Sequence, residues 1–195
     1  MQGYDILRRR IPSTYLDIAQ RETLRLKQWM LDENLLGNSS DLGTGTYWQG
    51  TETAGRLSRP LKMMYESSMM MELTRSYLGD EFYLFNDQVV VKMPEEEFEF
   101  EAHFDNQYGQ DPEGNFKTIN FTWILDDQKD IRLKTPKGWI QPDLQAGDIL
   151  VLDGNQIHCS GLNITNKPRR NWCCIYAKER PTLEGFYSEK VSFIS

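Results

Sequence analysis

The chain has 195 residues, of which 39% are hydrophobic and 26% are charged, and its formal net charge is −7. This length predicts a single domain with a sizeable core, and the composition is typical of a globular protein. The negative charge argues against nucleic acid as a partner, because phosphate binding needs a basic surface. No apolar run approaches the length of a membrane span, and no apolar core of a signal peptide is visible. We therefore expect neither a nucleic acid nor a membrane partner, and the oligomeric state stays open.

The cysteines give a prediction of the cellular compartment. Cys159, Cys173 and Cys174 are an odd number, and two of them are adjacent in the sequence. Such a set makes a poor disulfide framework, and it is typical of proteins kept in a reducing environment. The cysteines therefore predict a cytoplasmic protein.

The predicted elements form a helical first part and a strand-rich second part. Apolar residues at helical spacing predict one helix from Ser13 to a stop at Gly37, and a second from Pro60 to Gly79. After Gly79 the chain changes to short runs separated by turn signals. These runs predict strands in FYLFNDQVVVKM, FEFEAHFD, FKTINFTWIL, GDILVLD and RNWCCIYA. Helices followed by many strands predict an α+β chain whose second half is a β-sandwich or jelly roll.

The stretch EEEFEFEAHFDN, residues 95–106, alternates between polar and apolar residues. In a regular strand its phenylalanines share one face, whereas Glu101, His103 and Asp105 share the other. One interpretation is a solvated outer face. The other is a polar face that lines a cavity, where His103 and Asp105, as residues i and i+2, bind one metal ion together.

The second of the two histidines favours the cavity. His158 follows AGDILVLDGNQ, which predicts a turn, a buried strand and another turn, so that His158 lies on or beside the next strand. With His103 and Asp105 it completes a set of two imidazoles and one carboxylate. This facial triad leaves positions open on Fe(II), where a chelating cosubstrate and O₂ can bind.

At this point the sequence resembles a known family. AHFD, together with AGDILVLDGNQIHCSGLNITNKPRRNW, is similar to the phytanoyl-CoA dioxygenase-like branch of the Fe(II)/2-oxoglutarate-dependent oxygenases. The resemblance covers roughly residues 84–177 and is strongest over 146–172. It implies a double-stranded β-helix, a cupin-like jelly roll, with N-terminal helices that buttress one sheet. We therefore expect one oxygenase domain, 1–195, with a helical part at about 13–79 and a β-helix core at about 82–177.

The resemblance also implies roles for individual residues. His103, Asp105 and His158 correspond to the iron ligands of the family. Arg169, eleven residues after the distal histidine, corresponds to the anchor of the far carboxylate of 2-oxoglutarate, and Ser160 to a helping hydroxyl. A guanidinium suits this task because its planar fork matches a carboxylate and stays charged. The implied activity is Fe(II)-, 2-oxoglutarate- and O₂-dependent hydroxylation, with release of succinate and CO₂.

The sequence departs from the family pattern in two places. One departure appears when Lys92 is aligned with a lysine of the family, because Val90 then lies where relatives often have a polar residue. Asn120 is our candidate for the side chain that replaces this polar residue in the 2-oxoglutarate site. The region between the metal half-sites is also shorter than in the longer relatives, so the substrate cannot be copied from them. We expect a small molecule, such as an amino acid derivative, or a peptide side chain, with Glu101 and Tyr108 as candidate substrate contacts. A solvated rim position, or a pair with Lys92, is the other interpretation of Glu101.

Two other functions remain open at this stage. One is a non-catalytic, cupin-like β-helix protein that binds a metal or another ligand, and the other is a zinc hydrolase with the same three ligands. Arg169 separates both from an oxygenase, because neither needs an anchor for a dicarboxylate.

Overall fold

The computed structural model of the protein describes residues 3–33, 46–47, 54–94, 99–108, 117–179 and 189–190. It is a mixed α/β structure with few helices and two antiparallel sheets. The helices are α1 (Ser13–Asp32), α2 (Ala54–Leu57), α3 (Arg59–Tyr65) and α4 (Ser68–Leu78). The strands are β1 (Tyr4–Leu7), β2 (Thr46–Tyr47), β3 (Tyr83–Lys92), β4 (Phe100–His103), β5 (Thr118–Ile124), β6 (Ile131–Thr135), β7 (Gly138–Ile140), β8 (Ile149–Asp153), β9 (His158–Ser160), β10 (Arg169–Ala177) and β11 (Glu189–Lys190).

The strands form a seven-stranded and a four-stranded sheet. The larger has the order β1-β8-β5-β10-β3-β11, with β2 also paired to β3, and the smaller has the order β4-β9-β6-β7. From β3 to β10 the chain passes back and forth between the sheets, and among the described strands only those of the β6–β7 hairpin are consecutive in one sheet. This path brings together residues that lie far apart in the sequence, such as those of β4 and β9.

The core lies on both sides of the larger sheet. All seven residues of β5 are buried, as expected for a central strand covered on both faces. Trp123 of β5 and Trp172 of β10 are fully buried with ring centroids 4.9 Å apart, and they pack with apolar residues of the helices. The opposite face carries a smaller cluster that includes Leu150 and Leu152 of β8 and Leu133 of the smaller sheet.

The helices agree only in part with the prediction. α1 begins at Ser13 as predicted and ends at Asp32, whereas the predicted stop at Gly37 lies outside the described residues. No helix of the described part of the chain is long and apolar enough to cross a membrane.

The prediction of one helix from Pro60 to Gly79 is wrong, because the segment forms α3 and α4. Ser67 separates them. Its hydroxyl accepts a hydrogen bond from the amide of Met70 at 3.4 Å and donates one to the carbonyl of Met64 at 2.6 Å. A serine whose hydroxyl accepts a hydrogen bond from a backbone amide in the first turn of the next helix favours the start of a new helix over one continuous helix.

Each of the five predicted strand runs contains a strand, but β1, β2, β6, β7 and β11 were not predicted. Each of these strands has between two and five residues, too few for a reliable alternating pattern. β1 is held by pairing with β8 and by the buried Asp148 carboxylate, which accepts hydrogen bonds from the Arg9 amide and the Arg8 guanidinium. Contacts between distant segments therefore stabilise these strands.

Candidate metal centre

The pairing of β4 with β9 places His103 directly opposite His158. Phe100 pairs with Ser160, and His103 pairs with His158. The two pairs are three residues apart on β4 but two residues apart on β9, so β4 contains a bulge. A bulge reverses the faces of the residues that follow it. Phe100 and His103 consequently line the same cavity, with ring centroids 5.9 Å apart.

The predicted strict alternation of this strand is therefore wrong. Glu101 is exposed, and it is not among the described residues that line the cavity beside His103. Because the register shift lies between Phe100 and His103, regular alternation does not place Glu101 beside His103, and a contact of Glu101 with a substrate stays a prediction. Tyr108 ends the 3₁₀ helix Asp105–Tyr108, and its contact with a substrate stays a prediction.

The structure brings the three predicted ligands together. One ligand atom from each of His103, Asp105 and His158 lies within 4.8 Å of the others. The imidazole rings have their centroids 4.3 Å apart, and Nε2 of His158 lies 3.9 Å from Oδ1 of Asp105. Asp105 begins the 3₁₀ helix two residues after the last residue of β4, so its carboxylate reaches the two imidazoles from the end of the strand.

Backbone carbonyls orient both imidazoles. Nδ1 of His103 donates to the carbonyl of Glu101 at 2.7 Å, and Nδ1 of His158 donates to the carbonyl of Gln156 at 2.9 Å. A proton held on Nδ1 leaves Nε2 as the ligand atom of each ring. Burial, and next the charge of His158, lower the pKa of His103, which favours the neutral imidazole that binds metals.

Asn120 supports the third ligand. Its amide donates to Oδ2 of Asp105 at 2.9 Å, and its carbonyl oxygen accepts from the hydroxyl of Thr122 at 3.1 Å. Asn120 was predicted as a 2-oxoglutarate contact, and that role stays a prediction. The observed hydrogen bond of the Asn120 amide is to the carboxylate of Asp105. Hydrogen bonds of this kind orient metal ligands from outside the coordination sphere.

A cavity of about 50 Å³ lies beside the three side chains. Its apolar walls are formed by Phe100, Ile131, Leu150 and Leu152. Its polar groups are those of Gln88, Asn120, Thr122, Ser160 and Asn171. An apolar cavity with a few converging polar groups next to a set of metal ligands is the usual form of a small-molecule site.

Arg169 lies in β10, two residues from Asn171, so the two side chains share one face of the strand. Arg169 itself lines an adjoining cavity of about 470 Å³. Gln128 links the two cavities, because its amide donates to Asn171 at 2.7 Å and its oxygen accepts from Nη1 of Arg169 at 2.9 Å. Nη1 also lies 2.8 Å from Oδ2 of Asp130. Nε and Nη2 of the buried guanidinium have no hydrogen-bond partner among the described residues.

The neighbouring arginine faces the other side of the strand, as predicted. Arg170 forms three hydrogen bonds with the Asp126 carboxylate, from its amide, Nε and Nη2, and a fourth with the carbonyl of Gln20 in α1. Arg170 therefore anchors the helical part of the chain, and all of these contacts lie away from the cavity.

The predicted hydroxyl contact, Ser160, lines the cavity and accepts a hydrogen bond from Nζ of Lys92 at 3.0 Å. Lys92 is fully buried, pairs with Arg169 across the sheet, and also donates to the carbonyls of Ser160 and Gly161. Sequence reasoning named Lys92 only as an alignment reference and as a possible partner of Glu101, and it did not identify Asp130 or Gln128. Each belongs to the site only through long-range contacts, so no local pattern could have indicated it.

Comparison with known proteins finds solved structures that share this fold. No protein-family model matches the sequence, and neither does any curated protein sequence. Solved structures do match. The epimerase SnoN from nogalamycin biosynthesis, a non-haem, α-ketoglutarate-dependent enzyme, has a TM-score of 0.67 and 15% identity, over 90% of this chain and 78% of SnoN. The chain therefore shares the fold of this enzyme.

Two further structures share this fold. EctD from S. alaskensis, solved with 2-oxoglutarate and 5-hydroxyectoine, has a TM-score of 0.68 and 16% identity, over 90% of this chain and 72% of EctD. EvdO2 from Micromonospora carbonacea var. aurantiaca, solved with 2-oxoglutarate, has a TM-score of 0.67 and 13% identity, over 98% of this chain and 89% of EvdO2. At such low identity the likeness concerns the fold, and the function has to be argued from the site.

The geometry predicts which side chains control metal affinity. Replacing His103, Asp105 or His158 with alanine should weaken Co(II) binding by more than about 100-fold. Asn120→Ala removes only the hydrogen bond to Asp105, so it should weaken Co(II) binding by about 10- to 100-fold. The absorption of bound Co(II) during titration measures these affinities. Glu101→Gln is the matched control, because it keeps the backbone carbonyl that accepts the hydrogen bond from His103. Equal affinity in the wild type and the Asp105 variant would contradict the assignment.

Proposed function

We propose that the protein is an Fe(II)- and 2-oxoglutarate-dependent dioxygenase that hydroxylates its substrate and releases succinate and CO₂. The observation that carries this proposal is the convergence of His103, Asp105 and His158 within 4.8 Å, next to a cavity, in a chain with the fold described above. Two neutral imidazoles and one carboxylate are the donor set of non-haem Fe(II) oxygenases. The residues present therefore fit the metal that the fold implies.

We further propose that the two sheets form a double-stranded β-helix, or jelly roll, as in the phytanoyl-CoA dioxygenase-like branch. The passage of the chain between the sheets from β3 to β10 supports this assignment. The same path supports the placement of His103 and His158 on β4 and β9 of the smaller sheet, with Asp105 just beyond the end of β4.

In the proposed mechanism the protein side chains bind, orient and balance charge. His103 and His158 bind through Nε2, since Nδ1 of each ring donates to a carbonyl. Asp105 supplies one negative charge and is held in place by Asn120. Bound Fe(II) and 2-oxoglutarate supply the activation of O₂ and the oxidative decarboxylation. Because Asp105 takes a position that halogenating relatives leave open for halide, its presence favours hydroxylation or a related oxidation.

Arg169 holds the far carboxylate of 2-oxoglutarate in this proposal. The Nε and Nη2 donors of its buried guanidinium lie on one edge and have no hydrogen-bond partner among the described residues. Together they offer the fork geometry that binds a carboxylate in bidentate fashion. Asn171 and Ser160, which line the metal cavity, provide polar groups between this anchor and the metal ligands.

We propose a small-molecule or peptide substrate. The bound 5-hydroxyectoine in EctD and nogalamycin RO in SnoN support a small molecule, since each is the ligand of a protein with this fold. The net charge of −7 supports the absence of a nucleic acid partner. Three free, buried cysteines support a cytoplasmic location, because oxidising compartments favour disulfides.

One observation favours the non-catalytic, cupin-like alternative. Asp130 lies 2.8 Å from Arg169, so the proposed anchor already has an anionic partner. A protein that binds a metal and no dicarboxylate would need Arg169 only for such an internal ion pair. The two functions differ in a measurable respect, which is whether 2-oxoglutarate is consumed.

The proposed reaction predicts metal-dependent formation of succinate. Wild-type protein with Fe(II), O₂ and 2-oxoglutarate should release succinate even without its substrate, through slow uncoupled turnover, and the alanine variants of His103, Asp105 and His158 should not. Quantifying succinate by chromatography tests this expectation, with Glu101→Gln as a control that keeps turnover. Full turnover in Asp105→Ala would refute the assignment.

The two adjacent arginines make a second test. Arg169→Ala should weaken 2-oxoglutarate binding by about 2–5 kcal/mol, because it removes one partner of a buried charge pair. Arg170→Ala removes an equally charged side chain that contacts Asp126 and α1, so it should leave the affinity nearly unchanged. Competition binding with labelled 2-oxoglutarate measures both. Equal losses, or a larger loss for Arg170→Ala, would contradict the anchor role of Arg169.

A further inference from the structure

One amide side chain of the metal cavity uses only its oxygen within the described part of the protein. Asn171, in β10, is 5% exposed, and its oxygen accepts a hydrogen bond from Nε2 of Gln128 at 2.7 Å. Its partners in register on the adjacent strands are the apolar residues Val90 and Ile124. Among the described residues no hydrogen bond uses Nδ2 of Asn171. Because a buried donor without an acceptor is costly, this position favours a ligand that supplies an acceptor.

The orientation of this amide follows from the hydrogen bonds behind it. A guanidinium has only donors, so Nη1 of Arg169 requires the oxygen of Gln128 as its acceptor, at 2.9 Å. The nitrogen of Gln128 then faces Asn171 and donates to Oδ1. Oδ1 of Asn171 is thereby turned towards Gln128, and Nδ2 is the end left for another partner. The two ends of an amide are alike in shape, but here Arg169 determines which end is which.

The other amides of the cavity are less suited to an anionic ligand. Asn120 donates to Asp105, and its oxygen accepts from the hydroxyl of Thr122, so both of its ends are used within the protein. Gln88 also lines the cavity, and its buried Oε1 is the end without a hydrogen-bond partner among the described residues. An oxygen of this kind accepts hydrogen bonds and repels a carboxylate. Asn171 is therefore better placed than either to donate to an anion.

We propose that Asn171 contacts the cosubstrate and that Gln128 orients it for this contact. Nδ2 of Asn171 donates to the far carboxylate of 2-oxoglutarate beside Arg169, which lies two residues away on the same face of β10. Gln128 makes no contact with the ligand and acts through the amide of Asn171, so it is a positioning residue. The inference rests on the proposed function and adds a residue that selects for a dicarboxylic 2-oxo acid.

The first test compares two ligands that differ only in the far carboxylate. Isothermal titration under nitrogen measures the affinities of Fe(II)-loaded protein for 2-oxoglutarate and for 2-oxopentanoate. Asn171→Leu, a change to a side chain of similar size, should weaken 2-oxoglutarate binding about 10- to 100-fold, the effect of one hydrogen bond to a charged group, and spare 2-oxopentanoate. Gln128→Leu keeps Asn171 and Arg169 but lets the Asn171 amide turn, so it should cause a smaller loss.

Gln141→Leu is the matched control for these variants. Gln141 is an exposed amide that lines the same adjoining cavity as Gln128, and it donates to the carbonyl of Lys129. Its replacement should change neither affinity. Circular dichroism identifies the variants that fold.

A second test observes the donor in the wild type and depends on no variant. In isotope-labelled, Zn(II)-loaded protein, which is diamagnetic, the side-chain amide protons of Asn171 are assigned by nuclear magnetic resonance through their bonds to the backbone. One of these protons should move downfield when 2-oxoglutarate is added, because it enters a hydrogen bond to an anion. Addition of 2-oxopentanoate should leave its position unchanged.

Several results would overturn the inference. An equal loss of both ligands in Asn171→Leu, or an amide signal that 2-oxoglutarate does not move, would mean that Asn171 has only a structural role. A loss in Gln128→Leu that equals or exceeds the loss in Asn171→Leu would mean that Asn171 merely supports Gln128 and Arg169. If the wild type binds neither ligand, the proposed function itself fails, whereas wild-type binding with an unchanged Asn171→Leu refutes this inference alone.

Discussion

The antiparallel pairing of β4 with β9 is the interaction on which the proposed site depends. It places His103 against His158 although 54 residues separate them in the chain, and it carries Asp105 to the same place at the end of β4. Side chains alternate along a strand, so a slip of one residue would turn one imidazole away from the other. The bulge before His103 sets this register and places Phe100 on the cavity wall.

The larger sheet provides the rigid support that the smaller one needs. β5 and β10 lie next to each other at its centre and are almost wholly buried, and they carry Asn120 and Asn171 on the face that lines the cavity. Asn120 orients Asp105, and Asn171 is bonded to Gln128, which in turn holds Arg169. Polar side chains on well-packed central strands lose little further freedom when a ligand binds, and such preorganisation favours affinity.

Sequence reasoning predicted that the candidate ligand residues lie together, but for a partly mistaken geometric reason. The spacing of His103 and Asp105 predicted one shared strand face, whereas Asp105 lies beyond the strand in the 3₁₀ helix. The residue types and their spacing were sufficient to predict the convergence of the three side chains, but not the local backbone. The alternating pattern did not predict the bulge. A polar strand face is equally compatible with a cavity and with solvent, and Glu101 is in fact exposed.

Buried charges were harder to predict. Arg169 followed from the family spacing, but its partner Asp130 lies on a loop before β6, and Lys92 reaches it from β3 only because β3 and β10 pair in register. The break between α3 and α4 is a comparable case, since Ser67 reads as an ordinary helix residue until its hydrogen bonds are known. Local patterns therefore predicted many of the elements and the candidate metal ligands, whereas long-range pairing determined the electrostatic surroundings.

The most direct measurement of the central claim is the visible spectrum of Fe(II)-loaded protein under nitrogen. Adding 2-oxoglutarate should produce the weak metal-to-ligand charge-transfer band of a chelated 2-oxo acid, and His158→Ala should abolish it. A band of this kind requires iron held by the three side chains and open positions for the chelate. Wild-type protein that binds Fe(II) and shows no band at saturating 2-oxoglutarate would contradict the assignment of an oxygenase and favour the non-catalytic metal-binding protein.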